Sequence, residues 1–358
     1  MQAIVLVGGE GTRLRPLTLE TPKQMLDIIE RPMIERVLAG LAEHGIDQAV
    51  LSLGYLPDAF TKAYPSGEAA GVRLTYAVEP EPLDTAGAVR FAAAAAGIDD
   101  TFLVLNGDVL TDLDVSRLVD FHRARGAEGT IRLYPVADPS AFGVVDTDDE
   151  GRVRAFVEKP PAGEAPTNLV NAGTYVFEPQ VLERITLGER TSIERRTFPE
   201  MVAEGVLWAM ADPAYWLDTG TPADFLQAHF DLVSGARPGP PCPGAQLVAP
   251  GVWVTGSPSL DGDAVAPCFV GAGARISPGA RVEGSVVGRG AVVDAGAVVS
   301  RSVLMAGTYV GVDARVEGSI VGAGAVVGAG CSLRPISVVG PGVEVEPETL
   351  VDGQRLPA

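Results

Sequence analysis

Val7-Gly8-Gly9-Glu10-Gly11-Thr12-Arg13-Leu14-Arg15-Pro16-Leu17-Thr18 follows directly on the apolar run Ala3–Val7, and Thr21-Pro22-Lys23 comes shortly after. Glycines behind a strand let main-chain N–H groups approach a phosphate closely, and a following helical turn adds the positive end of its dipole. A glycine-rich turn alone also serves as a plain structural turn. Joined to Arg13 and Lys23, it becomes a far more specific pattern, a turn of amides and cations suited to a phosphate. No Gly-Lys-Ser/Thr follows, so this is not a Walker loop, and the pattern is not the dinucleotide fingerprint either.

The elements that must position such a turn are legible in the first two thirds of the chain. Ala3–Val7, Ala49–Leu53, Val72–Val78 and Phe102–Leu105 read as strands, while Met33–His44, Ala86–Ala96 and Val115–Arg125 read as helices. This βαβα alternation predicts a largely parallel sheet covered by helices, a Rossmann-like doubly wound layer. Gly129–Pro135, Val153–Glu158 and Ala172–Phe177 are strand-like and suggest a substrate lobe added to that layer. The spans expected are 1–233 for the catalytic domain, 234–250 for a Pro/Gly linker and 251–358 for a separate C-terminal domain.

That last domain announces itself by repetition. The tetrads beginning at Ser285, Ser302, Ser319 and Ser337 lie 17, 17 and 18 residues apart, and aliphatic residues recur between them mostly at steps of six. Three short strands per coil, stacked on themselves, predict a left-handed parallel β-helix of hexapeptide repeats. Its expected role is structural: stacking, a brace for the catalytic domain, and contacts that make the protein a homo-oligomer. Acyltransferases built on such repeats generally use a histidine base, and His44, His122 and His229 all lie upstream.

Totals narrow the partners. Formal charge is −19, with 46 acidic against 27 basic residues, the reverse of a nucleic-acid-binding balance; no nucleic-acid partner is expected. Cys242, Cys268 and Cys331 form neither ligand spacing nor a disulfide framework and read as small buried hydrophobes. Neither a cleavable leader nor an apolar span of about 18 residues is visible, so the expected location is cytoplasmic, without a membrane partner.

Gly8-Gly-x-Gly-Thr-Arg-Leu-Arg-Pro-Leu-Thr18 with Pro22-Lys23 resembles the signature of the sugar-1-phosphate nucleotidyltransferases. Leu105-Asn-Gly-Asp108, Phe142-Gly-Val-Val145, Phe156-Val-Glu-Lys-Pro160, Asn171-Ala-Gly-Thr-Tyr175 and Trp216-Leu-Asp-Thr-Gly220 match the family in order. The resemblance covers nearly all of residues 1–233 and makes this the expected nucleotidyltransferase domain. An appended β-helix also occurs in the family. The opening Val-Gly-Gly, Ser192-Ile-Glu-Arg-Arg-Thr-Phe-Pro199 and the repeats resemble the guanylyl-transferring branch that acts on mannose 1-phosphate.

The resemblance implies that a sugar 1-phosphate oxygen attacks the α-phosphate of a nucleoside triphosphate, with GTP and mannose 1-phosphate giving GDP-mannose and pyrophosphate. Gly8, Gly9, Gly11, Thr12 and Gly107 would line the nucleotide. Arg13 is assigned to the leaving phosphates and Lys23 to the α-phosphate side. Asp108 and Asp218 correspond to the family's Mg²⁺ carboxylates, and hard Mg²⁺ suits one or two carboxylates completed by water and phosphate oxygens. Lys159 would contact the sugar phosphate and Glu158 the sugar hydroxyls, with Asn171 and the Gly143 backbone completing the pocket. Arg195 and Arg196 read either as a second phosphate contact or as helix-surface charges.

Val78-Glu-Pro-Glu-Pro-Leu-Asp-Thr-Ala-Gly87 is where the base is expected. Thymidylyl- and uridylyl-transferring relatives tend to carry Gln where Glu79 aligns. Guanine offers two adjacent donors that one carboxylate accepts together, so Glu79 or Glu81 is the expected base selector; a solvated acidic turn between prolines is the rival account. Two residues depart from the family pattern: Asp84 stands where Gly is usual, and Gln24 where Pro follows the lysine. The alternatives left open are a glucose-1-phosphate thymidylyl- or uridylyltransferase, and a regulatory subunit that binds nucleotide-sugar without turnover.

Overall fold

The computed structural model describes residues 1–357. Its contacts divide the chain into two compact units, and each unit draws on two segments. The first comprises Met1–Gly9 and Ile34–Trp216; the second comprises Glu10–Met33 and everything from Leu217 on.

The first unit is built on a ten-stranded mixed sheet. Its elements are β1 (Gln2–Leu6), β2 (Gln48–Leu53), β3 (Glu68–Ala69), β4 (Val72–Val78), β5 (Phe102–Asn106), β6 (Val109–Thr111, outside that sheet), β7 (Gly129–Pro135), β8 (Gly143–Thr147), β9 (Val153–Glu158), β10 (Leu169–Phe177) and β11 (Leu207–Ala211). The order β11-β7-β10-β5-β1-β2-β4-β3 puts β1 at the centre, parallel to β2 and β5. β1 and β5 are apolar along nearly their whole length because both faces are covered, as parallel strands require. Helices α1 (Met33–Glu43), α2 (Asp58–Ala63), α3 (Asp84–Ala96), α4 (Val115–Arg125), α5 (Gln180–Glu183) and α6 (Phe198–Glu204) supply the cover. The alanine-rich face of α3 (Ala86, Val89, Ala92, Ala93) packs into the same core as Ile4, Val104, Tyr175 and Phe198.

The strand-like segments beyond residue 129 do not found a separate lobe. β10 pairs antiparallel with β5 and with β7, so both strands continue the central sheet. Only the β8–β9 hairpin branches from it, joined through Val144 and Val170.

In the second unit, α7 (Pro222–Ser234) starts at Thr221, whose hydroxyl accepts the Asp224 amide, with Pro222 in its first turn. Three sheets follow, of eight, six and six strands, in which every pairing is parallel except the hairpin Gln246–Ala249 with Val252–Val254. This is a β-helix. Columns such as Val270-Val287-Leu304-Val321-Val339 fill its interior. The tetrad serines form a ladder at one corner: the Ser302 hydroxyl donates to Ser300 O at 2.7 Å and accepts the Ser319 amide at 3.1 Å. Those polar corners are thereby satisfied inside an apolar stack, where an unmade hydrogen bond would be costly.

One face of the β-helix is apolar on both sides. Neighbouring strand residues point oppositely, so Phe269, Val286, Val303, Ile320 and Val338 point outward, yet none is more than 3 % exposed. α7 packs over strands Cys268–Val270 and Val286–Val287. Ile29 and His229 meet Val286 and Val303 around a cavity of about 60 Å³, and a side chain on Gly340 would touch Pro16 at 3.1 Å. All three cysteines are buried and none forms a disulfide, as expected; burial pushes the Cys268 thiol up to about 11. Among the described residues no helix is long and apolar enough to cross a membrane.

Candidate active site

In an open parallel sheet, ligands gather at the carboxyl ends of the strands. Within the first unit these ends carry Gly8 and Gly9 after β1, Gly54 after β2, Glu79 after β4, and Gly107-Asp108 after β5. Gly8 and Gly54 lie backbone to backbone: a side chain on Gly54 would meet Gly8 O at 3.0 Å. The Glu79 carboxylate is 3.4 Å from where a Gly8 side chain would begin. Gly107 has a packing reason to be glycine, since a Cβ there would strike Val7 Cγ1 at 2.5 Å.

Glu79 and Glu81 separate clearly. Glu79 is half-buried, with Oε1 accepting the Ser52 hydroxyl at 3.0 Å and Oε2 accepting the Leu83 amide at 3.0 Å. It is a positioned carboxylate, not a solvated turn acid. Glu81 is exposed and borders a hollow of about 480 Å³ with Phe91, Ala95 and Leu187. Asp84 has φ +62 and its Oδ1 accepts the following amide of Thr85 at 2.8 Å. Left-handed backbone favours glycine, and aspartate tolerates it by such a local bond. The position therefore needs a conformation, and Asp84 supplies it.

The turn that holds Glu79 is tied to a segment that sequence reasoning did not connect with it. Thr191 O accepts the amides of Ala86 and Gly87, and the Thr85 hydroxyl donates to Glu194 at 2.8 Å while accepting the Ile193 amide. Arg196 pairs with Glu189 at 2.9 Å and Glu200 at 3.3 Å, which commits it to its own surface. The sequence signal for the Glu79 anchor is Ser52, a buried hydroxyl between Leu51 and Leu53.

Gly143, Glu158 and Lys159 come together in the β8–β9 hairpin, where Gly143 pairs directly with Glu158. A side chain on Gly143 would meet Glu158 Oε2 at 2.9 Å. Lys159, at φ +51, donates its amide to Phe142 O, and its ammonium lies 3.3 Å from Glu158. Asn171 shapes a bulge in β10, its Oδ1 accepting the Gly173 amide and its Nδ2 donating to the Tyr175 hydroxyl. Burial, with Glu194 and Glu158 nearby, pushes the Tyr175 phenol well above its usual range. Trp216 is fixed on the same sheet by its indole bond to Ala172 O at 2.9 Å and by contacts with Tyr134 and Phe142.

The second unit carries Gly11, Thr12, Arg13, Lys23 and Asp218. Gly11, at φ +62, opens the short turn Thr12–Leu14, and the Thr18 hydroxyl donates to its carbonyl at 2.8 Å. A side chain on Gly11 would touch Lys23 Cβ at 3.1 Å, so the glycine brings the two halves of the signature together. Arg13 and Asp218 meet around Gly220: a Cβ there would be 2.5 Å from Arg13 Nη2 and 2.8 Å from Asp218 Oδ1, which accepts the Gly220 amide at 2.9 Å. The Gly220 amide takes one lone-pair site of the Asp218 carboxylate, which has others for a further ligand. Gln24, the second departure, is buried with Oε1 unpartnered.

An α/β sheet with glycines and a held carboxylate at its strand ends, followed by a β-helix, defines a phosphate-handling enzyme with a repeat domain. The chain belongs to the nucleotidyl transferase family, whose model matches residues 2–235; a second model, the GMPPB C-terminal domain, matches residues 264–357. A mannose-1-phosphate guanylyltransferase of Mycobacterium tuberculosis is 43% identical over 283 residues, covering 78% of this chain and 77% of that protein. A rice protein (Oryza sativa subsp. japonica), "Probable mannose-1-phosphate guanylyltransferase 1", is 38% identical, covering 77% and 80%. Among solved structures, HddC from Yersinia pseudotuberculosis is similar with a TM-score of 0.56 at 29% identity, covering 64% of this chain and 97% of that one. The same protein has been solved in complex with GMP-PN.

Proposed function

We propose that this nucleotidyltransferase moves a guanylyl group from GTP to mannose 1-phosphate, forming GDP-mannose and pyrophosphate. A phosphate oxygen of the sugar forms the new bond to the α-phosphorus. The bond from that phosphorus to the bridging oxygen breaks, and its electron pair leaves with pyrophosphate. The nucleophile is already an anion, so the protein's task is to align two anions and offset the charge that builds up.

The observation that carries the choice of base is Glu79, whose two oxygens are each held by one donor and keep lone pairs for the adjacent N1–H and N2–H₂ of guanine. In this reading Arg13 takes the leaving phosphates and Lys23 the α-phosphate side, with Gly8, Gly9, Gly11, Thr12 and Gly107 along the nucleotide. Glu158 receives sugar hydroxyls, Lys159 the sugar phosphate, and Gly143 and Asn171 shape that pocket. Asp108 and Asp218 are the carboxylates for Mg²⁺, which would supply charge neutralisation at the phosphates when bound. Residues 1–233 form the catalytic domain, 234–250 a linker and 251–358 the β-helix domain. The setting is cytoplasmic and the protein a homo-oligomer, which sedimentation at micromolar concentration checks.

The test of the reaction is pyrophosphate release from GTP, dTTP, UTP, CTP and ATP, each with mannose 1-phosphate and glucose 1-phosphate. GTP with mannose 1-phosphate is expected to be fastest. A preference for dTTP would refute the guanine assignment and leave the family untouched.

A further inference from the structure

The segment Glu10–Met33 has little regular structure of its own: two short turns, Thr12–Leu14 and Lys23–Met25, and one bridge between Asp27 and Pro32. Turn bonds such as Leu17 N–H to Leu14 O and Met33 N–H to Leu26 O shape it locally, but short turns do not set where a chain lies, which is decided by what it packs on. Within its unit that partner is the β-helix. Ile28 and Ile29 are fully buried, and Ile29 lies against the apolar outer face at Val286 and Val303.

At the tip of the Asp27–Pro32 turn, Ile29 and Glu30 adopt φ +50 and +53 in succession. The Ile28 amide closes this two-residue turn on Arg31 O at 2.9 Å, but two non-glycine residues in left-handed backbone also need their surroundings to hold them. The Glu30 side chain supplies that constraint. Its Oε2 accepts the Thr255 hydroxyl at 2.8 Å, and Thr255 Oγ1 in turn accepts the Ala272 amide at 3.0 Å. Its Oε1 is buried without a hydrogen-bond partner, 4.0 Å from the guanidinium of Arg289. Gly271 is where the carboxylate enters, because a Cβ there would collide with Oε1. Glu30, Thr255, Gly271 and Arg289 thus form a clasp between the signature segment and the first coils of the repeat.

We infer that Glu30 is a positioning residue: through it the β-helix sets the path of the segment that carries Arg13 and Lys23. The repeat domain would then act in catalysis as a template for phosphate-binding backbone. This rests on the reading that Arg13 and Lys23 handle the nucleotide phosphates.

The experiment compares Glu30→Ala, Glu30→Gln and Thr255→Val in the full-length protein by amide hydrogen exchange of residues 10–33 and by steady-state kinetics. Glu30→Ala is expected to exchange faster across that segment and to lose roughly 10- to 100-fold in kcat/KM for the triphosphate, the scale of a small misplacement. The KM for sugar 1-phosphate should stay within about twofold. Glu30→Gln keeps an acceptor for Thr255 and should restore most of the loss, whereas Thr255→Val should reproduce part of it. Wild-type exchange and kinetics in Glu30→Ala would overturn the inference. If Glu30→Ala does not fold, wild-type exchange and kinetics in Thr255→Val would overturn it equally. Arg13→Ala separates the two readings: full activity there removes the phosphate assignment, while hydrogen exchange still tests the clasp.

Discussion

The Ser52 hydroxyl donates to Glu79 Oε1 at 3.0 Å, so a fully buried polar side chain in β2 aims the carboxylate at the end of β4. Such a bond fixes an acceptor in space before any ligand arrives. Glu79→Gln should lower kcat/KM for GTP by an amount equivalent to about 1–3 kcal/mol and erode discrimination against dTTP. Ser52→Ala should move both quantities the same way by less. An unchanged GTP-to-dTTP ratio in Glu79→Gln would eliminate Glu79 as base selector.

Gly220→Ala tests the placement of Arg13 and Asp218 beside Gly220. The new methyl would sit 2.5 Å from Arg13 Nη2, so the guanidinium must move. Turnover should fall by about tenfold or more, since positioned charge is what the transfer needs. Melting should shift little, because Arg13 is exposed and can swing into water. Full activity would show that Arg13 is not required where it lies.

Asp84→Gly should be neutral or slightly stabilising in urea unfolding and should leave the nucleotide preference intact. Asp84→Val should cost about 1–2 kcal/mol, because a β-branched residue resists φ +62. A changed base preference in Asp84→Gly would mean that the side chain, rather than the conformation, matters to the nucleotide.

His122 gives the acid limit a specific contributor. It is buried, bonded to Thr130 at 2.8 Å and Glu178 at 3.0 Å, and burial holds its pKa below the ordinary 6.5 despite the carboxylate. The unfolded chain therefore binds a proton first as pH falls below 6.5. Stability is complete above that pH and declines down to the lowered folded value. His122→Gln should flatten part of this decline in melting temperature between pH 7 and 5. An identical slope in the variant would remove His122 from the account.

Local patterns carried much of this. The runs at residues 3–7, 49–53 and 102–105 became central strands within a residue or so, because parallel strands covered on both faces must be apolar nearly throughout, while 72–78 showed itself by alternating buried and exposed residues near the sheet edge. The repeat was readable for a similar reason: each coil presents the same columns to the same interior. α7 was missed although Thr221-Pro-Ala-Asp224 is a helix-start signal. The extent of the sheet was missed as well, since nothing local to β10 says that it pairs with β5.

By itself, then, the sequence determined what is periodic or contiguous: the strand–helix alternation, the β-helix, and the Gly-rich cradle with its Arg and Lys. The paired valines of Ser-Val-Val-Gly also encode a coil face that is buried on both sides, but only the tertiary structure supplied its cover, α7 and Ile29. The fold likewise bonded Glu79 to Ser52 and Leu83 while leaving Glu81 exposed, gave Asp84 its conformational reason, and seated Glu30 on Thr255 across 225 positions. The physical reason is common to all of these. Periodicity is a property of neighbours along the chain, whereas a carboxylate's role depends on donors that approach it only after distant segments have packed.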